Sequence, residues 1–399
     1  MIRTNTFAVR PLSEDGEQVL RNLLDASAAL WNEVNYERLM RYNDEDDFEG
    51  DVWDADTGSL EGQYKPVLGG STAQQIISKN SEAWRSFFRV KKKFHDESND
   101  SVTEHPAPPG FRGNKDDGRV LKGLIRKDAY SVKWGTRSRL EIVVGENLRD
   151  RHNSPKTRLR LEIVGEPNWP DYEDQSRLEL WYDDTDDTFR ASQPVTIPDD
   201  TRATPLADDT AALDVGANNL VACTTTTGDQ YLYDGSSPFD QFRETTERIA
   251  ELQSKLDDQQ RSSTQVDRLS KVKYGRRDHA QDTLVRDLVE RLYKAGVSTV
   301  YVGDLKDVLS THWKPEVNAK THNFWAFQRF INRLECVCAE YGIEVVEESE
   351  SWTTQACPEC GSREETARNG DLFRCVCGFE GHADLKASQL FLERETGTD

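Results

Sequence analysis

Four cysteines near residue 360 carry the most specific chemistry in this sequence. Cys357-Pro358-Glu359-Cys360-Gly361 is followed by Cys375-Val376-Cys377-Gly378. Two turns, each with two thiolates and a following glycine, can fold over one tetrahedral zinc ion. The glycines let backbone amides approach the sulfurs. The second pair is C-x-C where two intervening residues are usual, which shortens that knuckle. The plainer reading, four buried free thiols, leaves the paired spacing without a cause. A redox role for Cys357 and Cys360 lacks the βαβ context it needs. His382 is a lesser candidate for a zinc ligand, and Cys223, Cys336 and Cys338 read as small core residues.

Three aspartates form the second group. Asp214 ends an apolar strand in Leu213-Asp214-Val215-Gly216, and Asp304 ends another in Val300-Tyr301-Val302-Gly303-Asp304. Asp384 opens the final helix in Gly381-His382-Ala383-Asp384-Leu385-Lys386. Carboxylates on two strand ends and a helix start can hold two Mg2+ ions about 4 Å apart, the arrangement that hydrolyses phosphodiesters. Magnesium suits them because it takes oxygen ligands and keeps waters. Singly, Asp214 reads as a turn former before glycine and Asp384 as a helix N-cap. Successive strand residues face opposite sides. Asp304 therefore turns inward only if the chain leaves the strand at Gly303, which is the expectation here; Asp307 is the nearest alternative.

The elements behind these residues change character near Ala211. From there the pattern is a strand (Ala211–Leu213), a hairpin (Leu220–Thr226 and Gln230–Tyr233) and two long helices (about Phe239–Gln260 and Gln265–Ala295). A strand (Val297–Val302), a helix (Trp325–Tyr341) and another strand (Ile343–Val346) follow, which together specify an α/β domain. Residues 1–205 read as mixed β and α. Strand Thr4–Val9 precedes an amphipathic helix (Gly16–Arg41), an acidic linker to about Gly62 and a second helix (about Thr72–Phe94). Pro106–Gly118 is a loop, and a run of strands lies between Leu121 and Gln193. The fold class is α+β, multidomain.

Net charge is -21, which on its face argues against phosphate binding. Acidic residues lie in runs such as Asn43–Asp47 and Asp199–Asp209, a pattern that suits a halophile. At about 1 M salt the Debye length is only about 3 Å, so basic contacts must be close. Three basic clusters stand out: Lys91, Lys92 and Lys93; the Arg119–Arg139 stretch with Arg126 and Lys127; and Arg268, Lys271, Lys273, Arg276 and Arg277. Tyr130 and Trp134 could stack on bases. The plainer reading of each cluster is a solvated or salt-bridged face. No apolar run reaches the roughly 20 residues of a membrane helix, and no signal-peptide core opens the chain. With seven cysteines, an odd count against a disulfide framework, a soluble cytoplasmic protein is expected.

The order Asp214, helical insert, Asp304, four-cysteine ribbon, Asp384 resembles the TnpB (OrfB) family, transposon-encoded relatives of type V CRISPR nucleases. Trp31-Asn32, the segment Thr353–Cys360 (TTQACPEC) and the basic tract around Arg276 carry the likeness further. The resemblance implies a β-barrel wedge over residues 1–205, with a helical recognition insert at about 14–100. It implies a RuvC nuclease domain of RNase H-like fold over residues 206–399, with a zinc ribbon inserted at 353–381. The partners implied are a guide RNA from the transposon end and double-stranded target DNA; the cofactors are one zinc and two Mg2+. The sequence departs from the family in two places. The family's glutamate before Asp-Leu is Gly303 here, and Lys386 stands where the family favours asparagine. Gly303 opens a second reading, guided DNA binding with a degenerate nuclease, as in a repressor or relic. A DNA-strand transposase proper would need a nucleophilic tyrosine in a His-rich setting, and none is visible.

Overall fold

A computed structural model of the chain describes residues 1–42, 51–95, 105–114, 118–152, 157–216, 219–256, 262–303, 324, 326–349, 353 and 355–397. It divides into two compact units, Met1–Pro198 and Asp199–Asp399.

The first unit runs β1 (Ile2–Pro11), α1 (Glu14–Arg41), α2 (Thr57–Leu68), α3 (Gly70–His95), β2 (Gly113–Asn114), β3 (Gly118–Arg119), β4 (Lys122–Ile125), β5 (Tyr130–Lys133) and β6 (Arg139–Val143). It continues with α4 (Glu146–Arg151), β7 (Arg158–Val164), β8 (Asp174–Gln175), β9 (Leu178–Asp183) and β10 (Thr188–Thr196). The main sheet has the order β4-β9-β10-β1-β7-β6-β5, with β8 on β10, and all its pairs are antiparallel. Its two outer strands, β4 and β5, are consecutive in the chain and joined only by residues 126–129. β10 alternates buried Phe189, Ala191, Gln193 and Val195 with half-exposed neighbours, the period of a half-buried strand.

Helix α1 begins at Ser13, whose hydroxyl accepts from the Gly16 amide at 3.1 Å and so satisfies one orphan donor of the first turn. Its fully buried Leu20, Leu23, Leu24 and Leu30 join the sheet core. Further along, α1 meets α3 through polar groups. Asn35 Oδ1 accepts from Trp84 Nε1 at 2.9 Å and from Asn80 Nδ2 at 3.1 Å, while Asn35 Nδ2 donates to the Pro109 carbonyl at 2.6 Å. Trp31 donates to the Gly110 carbonyl at 3.0 Å. Trp31 and Asn35 thereby pin an irregular segment onto the helix. The expected acidic linker ends sooner than the sequence suggested. Asp56 caps α2 by accepting from the Ser59 amide at 3.0 Å, and Leu68 at its far end is buried.

The second unit runs β11 (Asp209–Asp214), β12 (Asn219–Thr225), β13 (Gln230–Asp234), α5 (Ser236–Gln253), α6 (Thr264–Lys294), β14 (Val297–Gly303) and α7 (Phe327–Cys338). β15 (Glu344–Glu348), β16 (Thr366–Asn369), β17 (Leu372–Cys375), β18 (Glu380–His382) and α8 (Ala383–Thr396) follow. A five-stranded sheet has the order β13-β12-β11-β14-β15. β11, β14 and β15 are parallel, and the hairpin β12–β13 is antiparallel. On one face Ala211, Leu213, Val300 and Val302 pack with Leu288, Leu292, Phe330 and Leu334. On the other, Ala212 packs with Phe391 and Leu392 of α8, with Tyr301 against them. In α7, Phe330, Ile331, Leu334, Val337 and Cys338 are buried at helical spacing. β16, β17 and β18 form a separate small antiparallel sheet. No helix among the described residues is long and apolar enough to cross a membrane.

Asn35→Ala removes the shared acceptor of Trp84 and Asn80. Leaving those buried donors unpaired is expected to cost about 2–4 kcal/mol, read as a lower urea midpoint for the N-terminal unit, while an exposed control such as Arg10→Ala leaves it unchanged.

Candidate active site

Asp214 is the last residue of β11 and is 9% exposed. Alternation along the strand sets its direction. Leu213 belongs to the core under α6 and α7, while Ala212 packs on α8. Asp214 therefore shares the α8 face with Ala212.

Asp384 lies in the first turn of α8 and is 7% exposed. It is not the helix cap. His382 takes that place, its Nδ1 accepting from the Asp384 amide at 3.3 Å. The Asp384 carboxylate is free of capping and is gripped at both oxygens. Asn219 Nδ2 donates to one at 2.9 Å, and Arg368 Nη2 donates to the other at 2.8 Å. Asn219 opens β12, and Arg368 projects from β16 of the small sheet. One turn further along α8, Ser388 and Thr224 of β12 share a hydrogen bond at 2.7 Å. The start of α8 is therefore fixed to β12 beside β11.

Lys386 is 3% exposed, donating to the carbonyls of Thr353 at 2.8 Å and Ala356 at 3.0 Å. Burial pulls its pKa down to about 8 and Arg368 adds to that, while Asp214, Cys357 and Asp384 oppose it. The ammonium thus lies within the field of both aspartates and of the first cysteine.

Gly303 is the last residue of β14, paired with Glu348. It is extended and carries no turn itself; Asp304 and Asp307 lie outside the described residues.

The sulfurs of Cys357, Cys360, Cys375 and Cys377 all lie within 4.8 Å of one another, a group that could hold a metal ion. Cys357 and Cys377 are 3.6 Å apart, and Cys360 and Cys375 are 3.5 Å apart. Gly361 and Gly378 sit at φ +69 and +101, where a side chain would strain the turn. Their amides close the knuckles onto the carbonyls of Cys357 at 2.9 Å and Cys375 at 3.0 Å. The short C-x-C pair therefore still makes a knuckle. Desolvation raises the Cys357 thiol, but the amides of Cys360 and Glu359 and the neighbouring thiols draw it down to about 7. His382 stands apart from this group, in a second one with Asp371 and Asp384 whose donor atoms also lie within 4.8 Å of one another.

Comparison with known proteins decides the family. Residues 192–309 match the model of a family described as probable transposase (OrfB), and residues 327–390 match a Cas12f1-like TNB domain. A putative transposase of Methanocaldococcus jannaschii is 34% identical over 85 residues, covering 19% of this chain and 77% of the relative. The TnpB-like protein ORF457 of Acidianus two-tailed virus is 28% identical over 433 residues, covering 99% of this chain and 87% of that protein. The chain belongs to the TnpB family. In fold it is similar to the mini-RNA-guided endonuclease CRISPR-Cas_phi3, with a TM-score of 0.52 at 10% identity, covering 99% of this chain and 92% of that one.

The basic residues of this TnpB-family chain are unequal. Lys91 is buried and donates to the Tyr42 hydroxyl at 2.9 Å, so it belongs to the packing of α3, whereas Lys92 and Lys93 are exposed. Arg126 pairs with Asp128, and Lys127 with Asp174 at 2.8 Å. Arg277 is largely buried against Asp278 at 2.8 Å. Lys273 lies 4.8 Å from the Phe242 ring centre, and Lys271 is half-buried. Arg268 and Arg276 are exposed on α6. Sequence reasoning missed Asn219 and Arg368: nothing in a lone Asn of a hairpin or a lone Arg of a ribbon signals an aspartate partner.

Proposed function

We propose that this protein is an RNA-guided DNA endonuclease in which Asp214 and Asp384 form a RuvC-type magnesium centre. The observation that carries this reading is the gathering of two buried carboxylates, distant in sequence, at one end and one face of the five-stranded sheet. Hard oxygen donors held by neutral and cationic neighbours fit magnesium. When bound, the metal pair supplies Lewis acidity and an activated water. The chain's own residues do the rest: Asn219 and Arg368 orient Asp384, and Lys386 ties the segment before the ribbon to α8. Zinc on the four cysteines keeps that ribbon, and hence Arg368, in place.

The N-terminal sheet, with its outer strands joined by residues 126–129, serves as a barrel-like wedge, and α1 to α3 serve as its helical lobe. Guide RNA and target DNA are the partners that the family and the RNA-guided relative suggest. Lys92, Lys93, Arg268 and Arg276 are exposed cations available to phosphates. Arg126 and Lys127 can join them, because surface ion pairs are worth only about 0–1 kcal/mol and exchange readily for a phosphate. Gly303 favours a second reading in which the guided protein binds without cutting.

Protein purified without added metal is expected to hold one zinc per chain, and Cys357→Ser should lose it, measured by elemental analysis. Unchanged zinc content in that variant would reassign the cysteines. RNA co-purified with the protein, once sequenced, defines the target for a cleavage and binding assay. Asp214→Ala and Asp384→Ala should each lower cutting about a hundredfold or more, a loss of roughly 3 kcal/mol of transition-state stabilisation. Guided binding should persist, since base pairing selects the target. Guided binding without cutting by the unaltered protein would select the second reading.

A further inference from the structure

A two-ion centre needs more than the two carboxylates assigned so far, and this inference rests on that centre. We infer that Glu348, at the end of β15, is its third carboxylate, reaching across the gap left by Gly303.

Strand register carries the argument. Leu213 of β11 is level with Val302 of β14, so the next step puts Asp214 level with Gly303. Gly303 is in turn level with Glu348 of β15. Residues level across parallel strands point to the same face, and the packing agrees independently. Leu213 and Val302 lie in the core under α6 and α7 with Val345 packed against it, while Ala212 and Tyr301 meet α8. Asp214, Gly303 and Glu348 therefore form one row across the strand ends, on the face that carries Asp384. Glycine contributes no side chain, so the row itself carries none between the two carboxylates. Glu347 falls on the opposite face.

The spacing fits. Two strand steps of about 4.8 Å put the Asp214 and Glu348 Cα atoms roughly 10 Å apart. Two ions about 4 Å apart, with bonds of roughly 2 Å on either side, span about 8 Å between outer ligand oxygens. Side chains leaning toward one another close that difference, and glutamate has the longer reach. Glu348 is exposed and has no hydrogen-bond or ion-pair partner among the described residues, so its carboxylate is available.

The test uses full-length protein, with Mn2+ binding followed by electron paramagnetic resonance and guided cleavage followed in parallel. Glu348→Gln should weaken Mn2+ binding about tenfold or more and abolish cutting, as is also expected of Asp214→Asn and Asp384→Asn, with zinc content and Tm unchanged. Adding Gly303→Glu to Glu348→Gln should restore both readouts, which a structural role for Glu348 would not allow. Wild-type Mn2+ binding and cutting in Glu348→Gln would overturn the assignment. So would their loss in Asp304→Asn or Glu350→Gln instead. If Asp214→Asn and Asp384→Asn leave Mn2+ binding and cutting intact, the centre itself is wrong, a failure distinct from that of Glu348 alone.

Discussion

Two carboxylates buried on one face of a sheet are costly, and the C-terminal unit is arranged around that cost. Desolvation disfavours each buried charge. Asp214 and Asp384 nonetheless lie almost wholly out of solvent. Asp384 is compensated by an amide donor from β12 and a guanidinium from the small sheet. The buried Lys386 ammonium acts on both acids. Removing one member of such a set leaves an uncompensated charge, which costs far more than the net worth of the pair.

This makes the cysteine ribbon part of the electrostatics around Asp384. Arg368 can grip Asp384 only while its hairpin is folded beside α8, and the hairpin is organised by the knuckles at Gly361 and Gly378. Lys386 closes the loop from the other side through the carbonyls of Thr353 and Ala356. Asp384 and the segment leading into the ribbon are thus tied to the small sheet and to α8 through a few charge-assisted bonds, which are stronger than neutral ones.

Much of this was legible in the sequence where local pattern decides. The apolar run before Asp214 marked a strand end, and the glycines after each cysteine pair marked knuckles. Lys91 shows a signal misread: three adjacent lysines look like one cluster, yet Lys91 falls a helical repeat from Trp84 and Phe88, on the buried stripe. What depends on pairing between distant segments was not legible. That Gly303 is level with both Asp214 and Glu348 follows only from strand order and register, and the Arg368 contact only from the docking of the ribbon. The family resemblance implied a domain plan and the strand end suggested Asp304, whereas the proposal of Glu348 rests on register, one strand over.

Asp214 and Asp384 are proposed to share metal. Crystals soaked in Mn2+ and measured at the manganese absorption edge test it most directly. The account predicts anomalous peaks bridging the Asp214 and Asp384 carboxylates. Peaks confined to Asp371, His382 and Asp384, or to the cysteines, with none at Asp214, would contradict it.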